Sequence, residues 1–204
     1  MKTLIIVDGQ NDFMAGGSLE VPNANAIIPI INNLQDKFDL IVATQDWHPA
    51  NHKSFASNHP GKKPFEKIML HGLEQTLWPD HCVQGSVGAL FHPELETRPI
   101  EAIFRKGTDP EIDSYSAFYD NGHYKSTGLR WISSRKRSAS TLFCGLCADI
   151  CVYFTIKDAI AEGFICYLIE EATCPLDKVA FKEVKTELLN NQVNIIHHKE
   201  IDND

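Results

Sequence analysis

The chain has 204 residues, of which 43% are hydrophobic and 23% are charged, and these proportions are typical of one globular domain of ordinary size. Its 19 basic and 27 acidic residues give a formal net charge of −8 without a long basic run, which argues against a nucleic-acid or anionic-membrane partner. The first apolar run is too short for a signal peptide, and no stretch approaches the roughly 20 apolar residues of a membrane span. Six cysteines in such a chain suggest reduced thiols, so we expect a cytoplasmic protein.

Short apolar runs alternate along the chain with longer segments of helical spacing. The runs predict six strands, at residues 4–7, 40–43, 100–104, 142–144, 164–169 and 193–197. Helices are predicted at residues 23–38, 128–136, 150–162 and 176–190, and Pro29 marks a kink or a later start in the first of them. This alternation predicts the α/β class: an open, six-stranded, mostly parallel sheet with helices on both faces. No repeat or linker divides residues 1–204, so we expect a single domain with a long insertion at about residues 45–100.

Chemically versatile side chains follow four of the predicted strands. They are Asp8 after the first, Asp46 and His48 after the second, Lys106 after the third and Cys151 after the fourth. In open parallel sheets ligands bind beyond the carboxyl ends of the strands, so we expect these side chains to share one site. Cys151 falls in the first turn of a predicted helix, where free N–H groups and the helix dipole favour a thiolate. Cys151 is therefore a candidate nucleophile.

The second strand end also has the composition of a metal site. Asp46 and His48 lie two residues apart, which suits an extended segment that holds one cation, and His81 and His52 are further candidate ligands. A set of Asp and His ligands with an open position suits one divalent ion, for which Zn²⁺, Fe²⁺ and Mn²⁺ are the candidates. Four other histidines are interpreted as ordinary surface or loop residues: His59, His71, His92 and His123.

Six segments in chain order resemble nicotinamidases of the isochorismatase-like cysteine hydrolase superfamily. They are LIIVDGQNDF (4–13), GGSL (16–19), QDWHP (45–49), WPDHCV (78–83), FRKG (104–107) and DICV (149–152). The resemblance implies a catalytic triad of Asp8, Lys106 and Cys151. It implies metal ligation by Asp46, His48 and His81, with His52 at a position that binds the metal in some members only. It further implies a substrate site formed by Phe13, Trp78, Tyr115 and Leu146.

The same resemblance implies a Rossmann-like hydrolase fold and hydrolysis of nicotinamide to nicotinate and ammonia, a step in NAD salvage, with pyrazinamide as a second substrate. The reaction would pass through a thioester on Cys151. A cis peptide bond between Leu146 and Cys147 would shape an oxyanion hole from the backbone N–H groups of Cys147 and Cys151. The partner is then a small molecule, with neither nucleic acid nor membrane involved, and the monomeric or homo-oligomeric state is left open.

Two local departures from the family pattern accompany this resemblance. Many relatives have Ala-Thr where this chain has Cys147 and Ala148, and an aromatic residue or His where it has Ile150.

Three alternative functions remain open at this point. They are another amide or carbamoyl hydrolase or an isochorismatase of the same superfamily, a redox or zinc protein built on Cys144 and Cys147, and a binding protein without catalysis.

Overall fold

The computed structural model describes residues 2–130 and 140–203. Eight strands occur among them: β1 (Thr3–Val7), β2 (Leu40–Asp46), β3 (Lys67–Leu70), β4 (Leu73–Thr76), β5 (Ala102–Lys106), β6 (Ser140–Leu146), β7 (Ile165–Cys174) and β8 (Asn194–Ile196). Six of them form one parallel sheet in the order β5-β2-β1-β6-β7-β8, and β3 and β4 form a separate antiparallel hairpin. The predicted fold class is confirmed.

Helices cover both faces of the sheet. The α-helices of the described residues are α1 (Ile27–Leu34), α2 (Cys151–Ala161) and α3 (Lys178–Asn190). Leu4 and Ile6 of β1 pack in one buried cluster with α1, whereas Ile5 and Val7 pack in a second cluster with α2 and α3. Because successive side chains of a strand point to opposite faces, the two clusters lie on opposite sides of the sheet. No helix in these two stretches of chain has both the length and the apolar character needed to cross a membrane.

The topology places a crevice beside β1. The chain adds β2 and β5 on one side of β1 and then returns to place β6 on the other side. This reversal is the topological switch point, where ligands of open parallel sheets bind beyond the carboxyl ends of the strands. Asp8 follows β1, and the segment that leads to Cys151 follows β6. The fold therefore brings these two residues to one edge of the sheet.

Several element boundaries differ from the sequence predictions. The first α-helix begins at Ile27, so that Pro29 lies in its first turn, where a missing N–H leaves no helical hydrogen bond unmade. The third strand of the sheet begins at Ala102, two residues later than predicted, and β7 continues five residues beyond its predicted end, to Cys174. The helix predicted at residues 128–136 falls mostly outside the described residues.

The β3–β4 hairpin was not predicted. His71 and Gly72 join its strands, and both have positive φ angles, of 50° and 84°, as two-residue hairpin turns with matching twist require. Each strand is only four residues long and most of its side chains are partly or fully exposed, so the apolar alternation is weak. The hairpin lies within the long insertion, which the sequence pattern predicted to be loop.

Candidate active site

Cys151 is the first residue of α2, and the segment before it is fixed to neighbouring strands. The backbone N–H of Ala148 donates to the carbonyl of Cys174 at 2.9 Å, and the Asp149 carboxylate accepts from the N–H groups of Leu176 and Asp177, each at 2.8 Å. The Leu146–Cys147 peptide bond is cis, in agreement with the prediction from the family resemblance.

A glycine allows this segment to leave the sheet next to Asp8. Gly145 has a φ of +109°, and a Cβ atom there would lie 2.0 Å from the carbonyl oxygen of Val7. Any larger residue would push β6 away from β1. The close approach of the two strands therefore sets the distance between Asp8 and the loop that carries the thiol.

Lys106 joins the predicted catalytic residues. Its Nζ lies 2.8 Å from Oδ2 of Asp8, 2.5 Å from Oδ1 of Asp46 and 3.5 Å from Sγ of Cys151. All four residues are buried. Burial of an ammonium with two carboxylates and a thiol has a desolvation cost that packing alone does not explain. Such groupings occur at reactive centres.

The surroundings of Cys151 act against the thiolate that its position at a helix N-terminus was expected to favour. Burial raises the pKa of the Cys151 thiol well above its usual value; Lys106 opposes this shift, and the carboxylates of Asp8 and Asp46 add to it. This shift opposes the thiolate that a helix N-terminus favours, because this N-terminus lies in the protein interior beside two carboxylates. The thiol needs a base.

Asp8 has the environment of such a base. Burial raises the pKa of its carboxyl and Asp46 adds to the shift, while Lys106 and the hydroxyl of Thr44 oppose it. A higher pKa makes a carboxylate a better proton acceptor. Lys106 stays charged, because Asp46 and Asp8 outweigh the effect of burial and hold its pKa well above the usual value.

Asp46, His48 and His81 form a compact cluster beside this group. Oδ2 of Asp46 lies 3.5 Å from Nε2 of His48 and 3.6 Å from Nε2 of His81. Ligand atoms at 2.0–2.2 Å from a tetrahedral Zn²⁺ are roughly 3.3–3.6 Å apart. The two carboxylate–imidazole distances thus match ligands around one ion, and all three ligand atoms lie within 4.8 Å of one another.

The hydrogen bonds of the two imidazoles agree with this use. The Nδ1–H of His48 donates to the Gly107 carbonyl at 2.9 Å, and that of His81 donates to the Pro79 carbonyl at 2.8 Å. In the neutral rings each Nε2 therefore carries the lone pair, and Nε2 of His48 is buried without a hydrogen-bond partner among the described residues. Gly107 must be glycine, because a Cβ atom there would lie 2.3 Å from Cε1 of His48.

His52 has the opposite arrangement. The backbone N–H of Ser54 donates to Nδ1 of His52 at 3.2 Å, so the ring proton belongs on Nε2. Burial lowers the pKa of His52 to about 4, which keeps the ring neutral. A neutral ring with Nε2 protonated has no lone pair to offer a metal from that atom.

The buried formal charges favour a cation. Asp8, Asp46 and Asp113 are each at most 4% exposed, and Lys106 is the one lysine or arginine among the residues buried in the described chain. The formal sum of these four groups is −2. A divalent ion at Asp46, His48 and His81 would neutralise it, so the residues present fit the metal that the family resemblance implies.

A cavity opens onto Cys151. Its walls include seven of the predicted site residues: Phe13, Asp46, Trp78, His81, Tyr115, Cys147 and Cys151. Ile150, one of the two departures from the family pattern, lines it as well, and three further residues line it that the sequence reasoning did not place in the site: Leu19, Asp113 and Leu176. Leu146, predicted to bind substrate, does not line the cavity and packs in the core, because its side chain belongs to β6. Leu19 lies in the GGSL segment, which was the one available signal for it.

Two cysteines of the alternative redox or zinc interpretation do not form a separate site. Cys144 is buried in β6 and its thiol donates to the carbonyl of Ile5 at 3.7 Å, whereas Cys147 lines the cavity. Burial raises the pKa of both thiols.

Gln10 was also missed. Its side-chain amide donates to the carbonyl of Asp46 at 2.8 Å and accepts from the N–H of Asp46 at 2.8 Å, while a second bond from Nε2 reaches the Ala89 carbonyl at 2.9 Å. The side chain is fully buried. Gln10 therefore fixes the backbone of the residue that contacts both Lys106 and the two histidines.

Comparisons with known proteins agree with this geometry. Residues 2–200 match the isochorismatase domain family. The nicotinamidase of Escherichia coli (strain K12) is 46% identical over 168 residues, which cover 80% of this chain and 78% of that protein. A structure of an Acinetobacter baumanii nicotinamidase and pyrazinamidase superimposes with a TM-score of 0.94 at 41% identity and covers 98% of this chain and 97% of its own.

A second structure concerns the metal. The pyrazinamidase of Pyrococcus horikoshii, solved in complex with zinc, superimposes with a TM-score of 0.78 at 33% identity and covers 96% of this chain and 98% of its own. The fold, the buried thiol site and these similarities lead to one assignment. The chain belongs to the isochorismatase family, and it is an amide hydrolase similar to the nicotinamidases.

Proposed function

We propose that the protein hydrolyses nicotinamide to nicotinate and ammonia in NAD salvage, and that it also accepts pyrazinamide. The observation that carries this proposal is Asp46, which gives one carboxylate oxygen to Lys106 and turns the other toward His48 and His81. A thiol site and a metal-type cluster thus open onto one cavity. The names of the similar nicotinamidases and pyrazinamidases support the substrate class.

Asp8 starts the reaction by accepting the thiol proton of Cys151. The thiolate attacks the amide carbon, and collapse of the tetrahedral adduct breaks the C–N bond while Asp8 returns the proton to the leaving nitrogen. Ammonia departs and a thioester remains on Cys151. Asp8 then takes a proton from water, and the hydroxide displaces the thiolate, which recovers that proton from Asp8. The acid leaves as nicotinate after losing its own proton to solvent. Lys106 keeps Asp8 oriented and offsets negative charge throughout.

The backbone N–H groups of Cys147 and Cys151 form the oxyanion hole in this proposal. Cys151 opens α2, so its N–H has no partner within the helix. Preorganised donors of this kind contribute about 3 kcal/mol each to stabilising a tetrahedral oxyanion. The Cys147 side chain is not required for this role, because the donor belongs to the backbone.

Asp46, His48 and His81 hold one divalent ion in this proposal, and His52 stays outside its direct ligands. When bound, the ion supplies a Lewis-acid contact for the ring nitrogen of the substrate. Phe13, Trp78 and Tyr115 provide aromatic surface for the pyridine ring, and the rings of Trp78 and Tyr115 meet at 80° with centroids 6.2 Å apart. Zinc is the first candidate, since the similar Pyrococcus structure contains it.

Ammonia release from an amide panel tests the proposal. Nicotinamide and pyrazinamide should be hydrolysed, whereas benzamide, which lacks the ring nitrogen, should react far more slowly. Cys151→Ala should abolish hydrolysis, and Cys174→Ala serves as the matched control, because Cys174 does not line the cavity. The metal content of each preparation is determined in parallel. Full activity of Cys151→Ala would refute the assignment of the nucleophile. Equal hydrolysis rates for benzamide and nicotinamide would refute a role for the ring nitrogen in substrate recognition.

A further inference from the structure

Thr44 of β2 contacts Asp8 twice. The backbone N–H of Asp8 donates to Oγ1 of Thr44 at 3.1 Å, and the same hydroxyl donates to Oδ1 of Asp8 at 2.5 Å. Thr44 is fully buried and does not line the cavity. A backbone N–H can only donate, so it occupies Oγ1 as an acceptor and leaves the hydroxyl proton for Oδ1. The direction of both hydrogen bonds follows from this.

These bonds make the two oxygens of Asp8 unequal. Oδ1 accepts from the hydroxyl of Thr44, whereas Oδ2 forms the ion pair with Nζ of Lys106 at 2.8 Å. The same Nζ lies 3.5 Å from Sγ of Cys151. Oδ2 is therefore the oxygen held on the side of Lys106, which also contacts the thiol.

We propose that Thr44 is a positioning residue that selects Oδ2 of Asp8 as the oxygen which accepts and returns the thiol proton. This inference rests on the proposed amide hydrolysis. The hydroxyl fixes the orientation of the carboxyl group through its hydrogen bond to Oδ1. The proton taken from Cys151 therefore goes to Oδ2 and leaves from the same atom. Without the hydroxyl, Oδ1 has no donor and the carboxyl can turn away from the thiol.

The backbone at Asp8 explains why a side chain is needed here. The pairing of β1 with β2 ends at Ile6 and Ala43, and Asp8 has a φ of +49°, outside the strand region. Its N–H therefore points away from the hydrogen-bond ladder of the sheet and donates to the Thr44 hydroxyl instead. Serine offers the same hydroxyl, whereas valine keeps the shape of threonine and can make neither bond.

Thr44→Val and Thr44→Ser provide a matched pair. For Thr44→Val we expect kcat for nicotinamide to fall at least 10-fold, within the range that general acid–base catalysis contributes, while KM stays within about two-fold. Thr44→Ser should retain kcat within about three-fold. Zinc content and the thermal midpoint are measured for each variant. A merely structural role would not lower kcat selectively at unchanged KM and unchanged zinc content.

The rate of Cys151 alkylation by iodoacetamide, measured without substrate, gives an independent readout. It should fall in Thr44→Val and be restored in Thr44→Ser. If the unmodified protein released no ammonia from nicotinamide, the proposed function would fail, but the alkylation rates would still test Thr44. Unchanged kcat and alkylation in Thr44→Val, or an equal loss in Thr44→Ser, would overturn the proposal. Thr44→Ala replaces the valine variant should the latter not fold.

Discussion

Replacement of Lys106 by methionine should strongly destabilise the protein. The ammonium is buried and contacts carboxylate oxygens of Asp8 and Asp46 at 2.8 Å and 2.5 Å. Methionine has similar length but no charge, so Lys106→Met leaves two buried carboxylates without their cation. Removal of one partner from a buried ion pair destabilises proteins by about 3–5 kcal/mol. For a chain of this size, about 2–4 °C per kcal/mol predicts a fall in Tm of roughly 6–20 °C.

The loss should depend on pH. Without Lys106, burial and repulsion from Asp46 raise the pKa of the Asp8 carboxyl further above its value in the unfolded chain. The folded state then binds more protons than the unfolded state above about pH 4, so its stability falls as the pH rises through that window. The difference from the unmodified protein should therefore be large at pH 7 and small near pH 4.

Thermal unfolding of metal-stripped protein at several pH values measures this effect. Lys67→Met is the matched control, because Lys67 pairs with Glu74 at 2.7 Å with both side chains more than 60% exposed. Exposed pairs contribute about 0–1 kcal/mol, so the control should change Tm by only a few degrees. A loss in Lys106→Met no larger than in Lys67→Met at pH 7 would contradict the account of the buried ammonium.

Two further substitutions test the supports of the metal cluster. Gly107→Ala should displace His48 and lower zinc affinity at least 10-fold in a chelator competition, whereas Gly61→Ala, with a similar positive φ and nothing within 4 Å, should leave it unchanged. Gln10→Glu replaces the amide donor to the Asp46 carbonyl by an acceptor and should lower stability by about 1–3 kcal/mol in urea unfolding. Unchanged stability would show that the amide does not fix Asp46.

The central strands β1, β2 and β6 were predictable because they are buried on both faces and form short apolar runs in the sequence. Once their order along the chain was known, the rule that ligands bind at strand ends was sufficient to group Asp8, Asp46, Lys106 and Cys151. Asp8 follows β1 directly, Asp46 and Lys106 end their strands, and Cys151 lies five residues beyond β6. The fold rule therefore turns sequence position into spatial proximity.

Side chains whose roles depend on distant partners were not predictable. Thr44 reads as an ordinary strand residue, and its bond to Asp8 joins positions 36 residues apart. The tautomer of His52 depends on the orientation of Ser54, which sequence spacing does not specify. The raised pKa of Cys151 follows from burial beside two carboxylates, whereas the sequence showed only a helix start.

Asp46 has a thermodynamic consequence for the whole site. Its Oδ1 contacts Lys106 and its Oδ2 faces the two imidazoles, so one carboxylate is shared by the proton-transfer group and the metal-binding group. A cation that draws electron density from Oδ2 weakens the ion pair between Oδ1 and Lys106. Metal affinity and the protonation of the thiol group are therefore linked equilibria, and by reciprocity each shifts the other by the same free energy.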